Sequence, residues 1–326
     1  MTIYTNLDGT TPDKGLGAIL KWQIGDRIAG RRRISPNHFD TPRVENDGVA
    51  LADSAASLTW IGHATFALRL AGKMIVTDPI WSDRISGAVA RNAAPGVSLE
   101  KMPQIDVVTV SHSHRDHLDL PTLKKIGNQA LFVVPKDVGE ILKDAGLTRV
   151  IELGWWETHR EGDLAITLVP AQHWSMRVPW DRNKRLWGGF VYESSRAGEG
   201  TAYHAGDTAF SELVFAAIFE HFPKIDWAMI PIGAYDPQWF MQQQHMNPEE
   251  AVRTFQLLRA KNLVAMHWGT FKLTDEPLDE PPQRVRVAFA KTEIDSSRLW
   301  IFDLGETRAL RDDVPRGVPG RGPVDR

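Results

Sequence analysis

The chain contains no cysteine. Disulfides, iron–sulfur clusters, zinc–thiolate sites and cysteine nucleophiles are excluded together, so any metal must rest on His and carboxylate side chains. A basic excess is also missing. There are 38 Lys and Arg against 41 Asp and Glu, a formal net charge of −3. Proteins that bind nucleic-acid phosphates usually carry the opposite balance, and no nucleic-acid partner is expected. No run approaches the ~18 apolar residues of a membrane helix. The polar residues 1–14 hold no apolar signal-peptide core. Arg31-Arg32-Arg33 is followed by Ile34-Ser35-Pro36 instead of an apolar stretch, and reads as a basic turn. These absences predict a cytoplasmic protein and are compatible with peripheral contact at a membrane surface.

The 326 residues, 42% of them hydrophobic, suffice to bury a core in one large domain or two small ones. Residues 1–50 are rich in turn formers and charge, with one short helix near 16–28, and read as an arm laid on the body. Residues 51–310 form the main domain. The tail 311–326 is rich in Pro and Gly and is expected to be disordered. Within the domain, residues 58–61, 66–70 and 74–77 alternate as a meander of half-buried strands. Residues 105–110 and 130–135 are short continuous apolar runs, the mark of buried central strands. Further strands are expected at 164–168, 190–192, 201–205, 228–232, 263–266 and 299–302. Helices are expected at 211–222 and at 247–261. The second has Asn247 as N-cap, Pro248 at the first helical position and Glu250 closing a capping box. This order predicts an α/β chain: two mixed sheets forming a sandwich with helices outside.

The chemistry concentrates in His112-Ser113-His114-Arg115-Asp116-His117, directly after a predicted buried strand. In an extended stretch, residues two apart face one side. His112 and His114 can therefore converge on one ion, and the following turn lets Asp116 and His117 face a second. His173, Asp207 and His267 also lie just past predicted strand ends. A carboxylate such as Asp207 can bridge ions ~3.5–4 Å apart, the spacing of two-metal hydrolytic sites.

This pattern resembles the metallo-β-lactamase superfamily. The longer stretches Thr59-Trp60-Ile61-Gly62-His63-Ala64-Thr65, Thr77-Asp78-Pro79-Ile80-Trp81-Ser82, Gln172-His173-Trp174-Ser175, Ala205-Gly206-Asp207-Thr208 and His267-Trp268-Gly269-Thr270 are similar to the N-acyl-phosphatidylethanolamine-hydrolysing phospholipase D family and its bacterial relatives. The likeness extends over about 39–282. It implies an αββα sandwich with two Zn2+ per chain at one edge, a donor set that iron or manganese would also suit. His112, His114 and His173 would hold one ion, Asp116, His117 and His267 the other, and Asp207 would bridge. Asp78 matches a residue that orients the ligands, and His245 a position beside the metals. The resemblance also implies a homodimer.

The expected activity is a phospholipase-D-type phosphodiesterase on a small-molecule or lipid substrate, with a hydroxide shared by two ions as nucleophile. Asp116 and His245 are its catalytic candidates, with His245 assisting the leaving alkoxide. His63 lines the site or pins its hairpin. Trp174 is read as the wall of an apolar groove, and Arg182 and Lys184 as rim cations for a phosphate. The competing reading is a lactonase, esterase or promiscuous β-lactamase on the same site. A metal-stabilised binding module is disfavoured because all seven expected ligands are present. His38, His159, His204 and His221 are expected to be structural or exposed.

Overall fold

The computed structural model describes residues 2–12, 15–53 and 55–310; the tail expected at 311–326 lies outside them. In chain order the strands are β1 (Ser57–Gly62), β2 (Thr65–Leu70), β3 (Lys73–Thr77), the short pair β4 (Arg84–Ile85) and β5 (Val89–Ala90), β6 (Val107–Thr109), β7 (Leu131–Pro135) and β8 (Val150–Leu153). They continue with β9 (Thr158–Glu161), β10 (Leu164–Val169), β11 (Gly189–Ser194), β12 (Thr201–His204), β13 (Trp227–Pro231), β14 (Asn262–Met266), β15 (Leu299–Trp300) and β16 (Thr307–Ala309). One seven-stranded sheet runs β16-β1-β2-β3-β6-β7-β8, the other β15-β14-β13-β12-β11-β10-β9. The expected pair of mixed sheets is present.

Side-chain alternation explains why the sheets stack. In β3, Ile75 points into the core between the sheets, while Met74 and Val76 point outward. In β7, Leu131 and Val133 face inward, and Phe132 and Val134 face the other way. The outward set is covered by Leu123 and Ile126 of the helix Leu120–Ile126 and by Leu142 of Gly139–Asp144. A strand buried on both faces must be apolar at every position, which is what the continuous runs signalled.

Three longer helices, Glu212–His221, Pro248–Leu258 and Glu280–Ala290, accompany the second sheet and place Val214, Phe255 and Phe289 in its core. Pro248–Leu258 carries the expected capping box: Asn247 accepts from the Glu250 N–H, and Glu250 accepts from the Asn247 N–H. It ends sooner than expected because Arg259 turns left-handed at φ 48°. Among the described residues, no helix is long and apolar enough to cross a membrane.

Residues 2–12 and 15–50 run over the body and touch it at specific points. The Tyr4 hydroxyl donates to Asp137, and the Thr41 hydroxyl donates to the Gly269 carbonyl. Arg33 donates to both oxygens of Glu280, at 3.0 and 2.6 Å. Those Arg33 bonds, reinforced by Tyr235, outweigh partial burial and lower Glu280 to about 2 from an ordinary 4.5. A carboxyl depressed on folding stabilises the fold above its unfolded pKa and loses that contribution as pH falls through the folded value. Arg33→Met is therefore expected to flatten the slope of stability against pH between about 4.5 and 2, read from urea midpoints. An unchanged slope would show that the pair contributes nothing.

Candidate metal centre

Strand direction decides where the polar residues meet. In the first sheet β1 is antiparallel to β2, β2 to β3, and β3 is parallel to β6, so β1, β3 and β6 end at the same edge. In the second, β10 and β12 are each antiparallel to β11, and β12, β13 and β14 are parallel. Their ends likewise share an edge. His63 follows β1, Asp78 follows β3, and residues 111–117 lie just past β6. His173 lies past β10, Asp207 past β12 and His267 past β14.

The donor atoms form two groups. His112 Nε2 lies 2.8 Å from His114 Nδ1, which lies 3.3 Å from His173 Nε2. Asp207 Oδ2 is 3.9 Å from both His112 Nε2 and His173 Nε2. In the second group, Asp116 Oδ2 lies 3.6 Å from His117 Nε2, 4.0 Å from His267 Nε2 and 3.2 Å from His63 Nε2. Asp207 reaches this group too: Oδ2 is 3.2 Å from His117 Nε2, and Oδ1 is 3.1 Å from His267 Nε2. The candidate atoms of each group all lie within 4.8 Å of one another.

A cation fits these residues on their own evidence. Nε2 of His117 and His267 and Oδ1 of Asp207 are buried with no aligned hydrogen bond, which is costly unless another partner takes the lone pair. Three ring nitrogens converging from His112, His114 and His173 cannot satisfy one another with a single proton each. A shared ion satisfies all three. Burial, followed by the neighbouring imidazoles, lowers His112 well below its ordinary value, and burial lowers His114 to about 4. Both rings are neutral donors at pH 7. Burial works against the carboxylates as well, yet His117 and His267 hold Asp207 ionised, well below the usual range. At His117 burial is outweighed by Asp207, Asp116 and Asp78, which raise it well above the ordinary value. Three carboxylates thus draw positive charge to this spot, which a proton or a metal ion supplies.

Asp78 orients both groups at once. It accepts from the Ser111 N–H at 2.6 Å, from the Ser111 hydroxyl at 2.7 Å and from His117 Nδ1 at 2.7 Å. Because the Ser111 hydroxyl spends its one hydrogen on Asp78, His112 Nδ1, at 2.9 Å, must donate to its oxygen. One carboxylate therefore fixes the tautomer of a His in each group and leaves each Nε2 facing the centre. His173 is fixed from elsewhere: its Nδ1 donates to the Gln244 carbonyl at 2.8 Å, and its backbone N–H donates to Asn6.

The other expected residues fall as follows. His63 lies beside the second group. Its carbonyl accepts from Trp60 Nε1 and the His267 N–H, which pins the turn. Its ring lies 3.9 Å from that of His267 and faces Asp116. His245 stands beside the centre, with Nε2 4.0 Å from Asp207 Oδ2. Trp174 packs edge-on against His114, at 4.7 Å between ring centroids, and Arg182 stacks over Trp174 at 4.4 Å. Arg182 also donates to the Pro12 carbonyl. Lys184 has no hydrogen bond or ion pair to the cluster among the described residues. His204 is buried against the Ala64 carbonyl, and His221 stacks on Trp156.

Sequence reasoning missed Ser111, Asn6 and Gln244. Ser111 was legible in principle as the small hydroxyl residue directly before the His cluster. Asn6 and Gln244 gave no local signal.

Gly206 lets the sheets close on one another. Its φ is 60°, and a Cβ there would lie 2.7 Å from the Ser111 Cβ. Gly206→Ala is expected to cost about 1–3 kcal/mol in overpacking, with a further ~1 kcal/mol or more for the left-handed backbone. It should also reduce bound metal, because Asp207 is the next residue. Chemical denaturation and elemental analysis test both. An unaltered variant would mean that the approach of the two strand ends is not tight.

Comparison with known proteins agrees with this architecture. Residues 73–268 match the model of the β-lactamase superfamily domain. The N-acyl-phosphatidylethanolamine-hydrolyzing phospholipase D 1 of Caenorhabditis elegans is 37% identical over 78% of this chain and 76% of its own length. The mitochondrial N-acyl-phosphatidylethanolamine-hydrolyzing phospholipase D of Saccharomyces cerevisiae is 33% identical over 84% of this chain and 59% of its own. Igni18, a metallo hydrolase from Ignicoccus hospitalis, superposes with a TM-score of 0.59 at 25% identity, over 79% of this chain and all of its own. This chain is therefore a hydrolase of the metallo-β-lactamase superfamily and belongs, within it, to the family of the N-acyl-phosphatidylethanolamine-hydrolysing phospholipases D.

Proposed function

We propose that this chain is a dinuclear metal-dependent phosphodiesterase of phospholipase D type, acting on N-acyl-phosphatidylethanolamine or a similar lipid diester. The observation that carries this reading is the pair of donor groups sharing Asp207, in a chain whose nematode and yeast relatives are named for that reaction. His112, His114 and His173 would hold one ion and Asp116, His117 and His267 the second, with Asp207 shared between the two groups. Zinc is the first choice for imidazole and carboxylate donors without thiolate, and iron and manganese are compatible. Once bound, such a pair supplies a water of near-neutral pKa and neutralises charge on the phosphoryl oxygens.

The protein's own groups do the rest. The site opens at His114, Asp116 and His245, the half-buried members of the cluster. A phosphodiester entering there meets the Trp174 face, with Arg182 behind it. Water adds to phosphorus, the P–O bond to the N-acylethanolamine breaks, and the phosphate stays on the lipid. Asp116, an ionised carboxylate at the mouth, is placed to take the proton of the attacking water. His245 is placed to protonate the departing alkoxide. Burial lowers His245 to about 4, with Asp207 opposing, so it is neutral at pH 7 and must accept a proton before it gives one.

Elemental analysis of the purified chain, paired with turnover of lipid phosphodiesters, lactones and β-lactams, tests the proposal. Two ions per chain and preference for the lipid diester are expected. Lactone opening without diester turnover would move the function to the competing hydrolase reading, and one ion or none would remove the dinuclear site.

A further inference from the structure

His173 reaches the metal centre from a loop. Strand β10 last pairs with β11 at Val169, opposite Gly189, so the ladder ends short of His173. A buried backbone N–H beyond the ladder needs another acceptor. The arm supplies it: Asn6 Oδ1 accepts from the His173 N–H at 3.0 Å and from Trp187 Nε1 at 3.0 Å.

Asn6 differs from its surroundings. Residues 2–5 and 7–11 are exposed or half-buried, whereas Asn6 is 3% exposed. Both of its partners are N–H groups that can only donate, which fixes the amide with its oxygen toward them. Nδ2 is buried and has no hydrogen-bond partner among the described residues. The side chain is therefore held through its oxygen.

The turn that carries Asn6 is fastened to the same loop. The Asn6 N–H donates to the Thr10 carbonyl and the Gly9 N–H to the Asn6 carbonyl, both at 2.8 Å. Gln172 Nε2, on the residue before His173, donates to Asp8 at 3.0 Å and to the Thr10 hydroxyl at 3.2 Å. The Tyr4 N–H donates to the Asn183 carbonyl at 2.8 Å, and Asn183 closes the loop by accepting from the Ser175 N–H. The Gln172 N–H donates to the Thr208 hydroxyl at 3.0 Å, directly after Asp207. Residues 4–10 thus clamp the loop that brings His173 and, through Gln172, keep it in register with Asp207. The Gln244 carbonyl fixes the His173 tautomer through Nδ1; Asn6 fixes where the backbone of that residue stands.

We infer that Asn6 is a positioning residue of the metal centre. Its side-chain oxygen sets the His173 backbone, so the arm raises the metal affinity of the group formed by His112, His114 and His173, and leaves the group of Asp116, His117 and His267 to its own ligands. This role rests on the two-ion reading of the centre and is measured by metal binding, without lipid turnover. Full-length apoprotein is titrated with Zn2+ by calorimetry against a competing chelator, as wild type, Asn6→Leu, Asn6→Asp and Tyr4→Phe. His173→Ala identifies which binding step belongs to its group, and circular dichroism confirms that each variant is folded.

Asn6→Leu keeps the volume and removes the acceptor of the His173 N–H. It is expected to weaken the step that His173→Ala also weakens by about 10–100-fold, the usual effect of removing a group that orients a metal ligand, and to change the other step far less. Asn6→Asp keeps an oxygen toward both N–H groups, loses no bond of Nδ2 and adds negative charge near a cation. It should bind at least as tightly as wild type. Tyr4→Phe removes the arm's bond to Asp137, away from the centre, and should leave both steps unchanged. Equal weakening of both steps by Asn6→Leu would make the arm a general stabiliser and overturn the inference. Wild-type affinity in Asn6→Leu, or an Asn6→Asp as weak as Asn6→Leu, would overturn it too. A wild type that takes up a single ion removes the two-ion reading; the role of Asn6 then stands if Asn6→Leu weakens that ion and Asn6→Asp restores it, and falls otherwise.

Discussion

Asp207→Asn is expected to empty one of the two donor groups and to lower turnover by about 10³-fold or more, with the fold retained. The carboxylate approaches both groups, within 3.1–3.2 Å of His267 and His117 and 3.9 Å of His112 and His173. Asparagine keeps the size and removes the charge that makes two close cations tolerable. It also turns one acceptor into an NH2 donor aimed at ring nitrogens that need an acceptor or a cation. The fold should survive because the apolar core between the sheets does not depend on this residue. Metal per chain by elemental analysis, turnover and thermal unfolding by circular dichroism provide the three readouts. Near-normal turnover would sink the shared-carboxylate arrangement.

His245→Ala is expected to cost about 10²–10⁴-fold on a lipid diester, the range of general acid–base catalysis, and far less on bis-nitrophenyl phosphate. An ethanolamine alkoxide is a poor leaving group and needs the proton, whereas nitrophenolate does not. The Nδ1 atom of His245 is buried without a hydrogen bond, and Nε2 faces Asp207 at 4.0 Å, so the ring is free to receive and pass a proton. Metal content should stay at the wild-type value. Equal losses on both substrates would make His245 a substrate-positioning group. Loss of metal would make it a ligand, an arrangement open to it because His245 also groups with Asp207 and His267.

The sequence by itself carried the elements whose short-range pattern is strong. The runs at 105–110 and 130–135 announced strands buried on both faces, because such strands have no solvent side to encode. The capping box at Asn247 was legible because its two hydrogen bonds span three residues. The His112–His117 cluster was legible because four donors after a buried strand leave few other meanings. Strands β8, β9 and β16 escaped notice. They lie toward the sheet edges, are only partly buried and carry mixed residues such as Thr158-His159-Arg160-Glu161, so neither period marks them. The helix Glu280–Ala290 was missed as well; its early Pro281-Pro282 suits a first turn but reads as a loop.

Only the tertiary structure decided how the donors are held. Asp78 meets Ser111 and His117 across 33 and 39 residues, Gln244 meets His173 across 71, and Asn6 meets His173 across 167. No periodicity or local spacing encodes such pairs. They exist because strands of two sheets run in compatible directions and finish at one edge. The same holds for His63, whose left-handed turn at φ 55° swings its ring toward Asp116. The residue types fixed which chemistry was available; the packing of the two sheets decided which of those residues share a single centre.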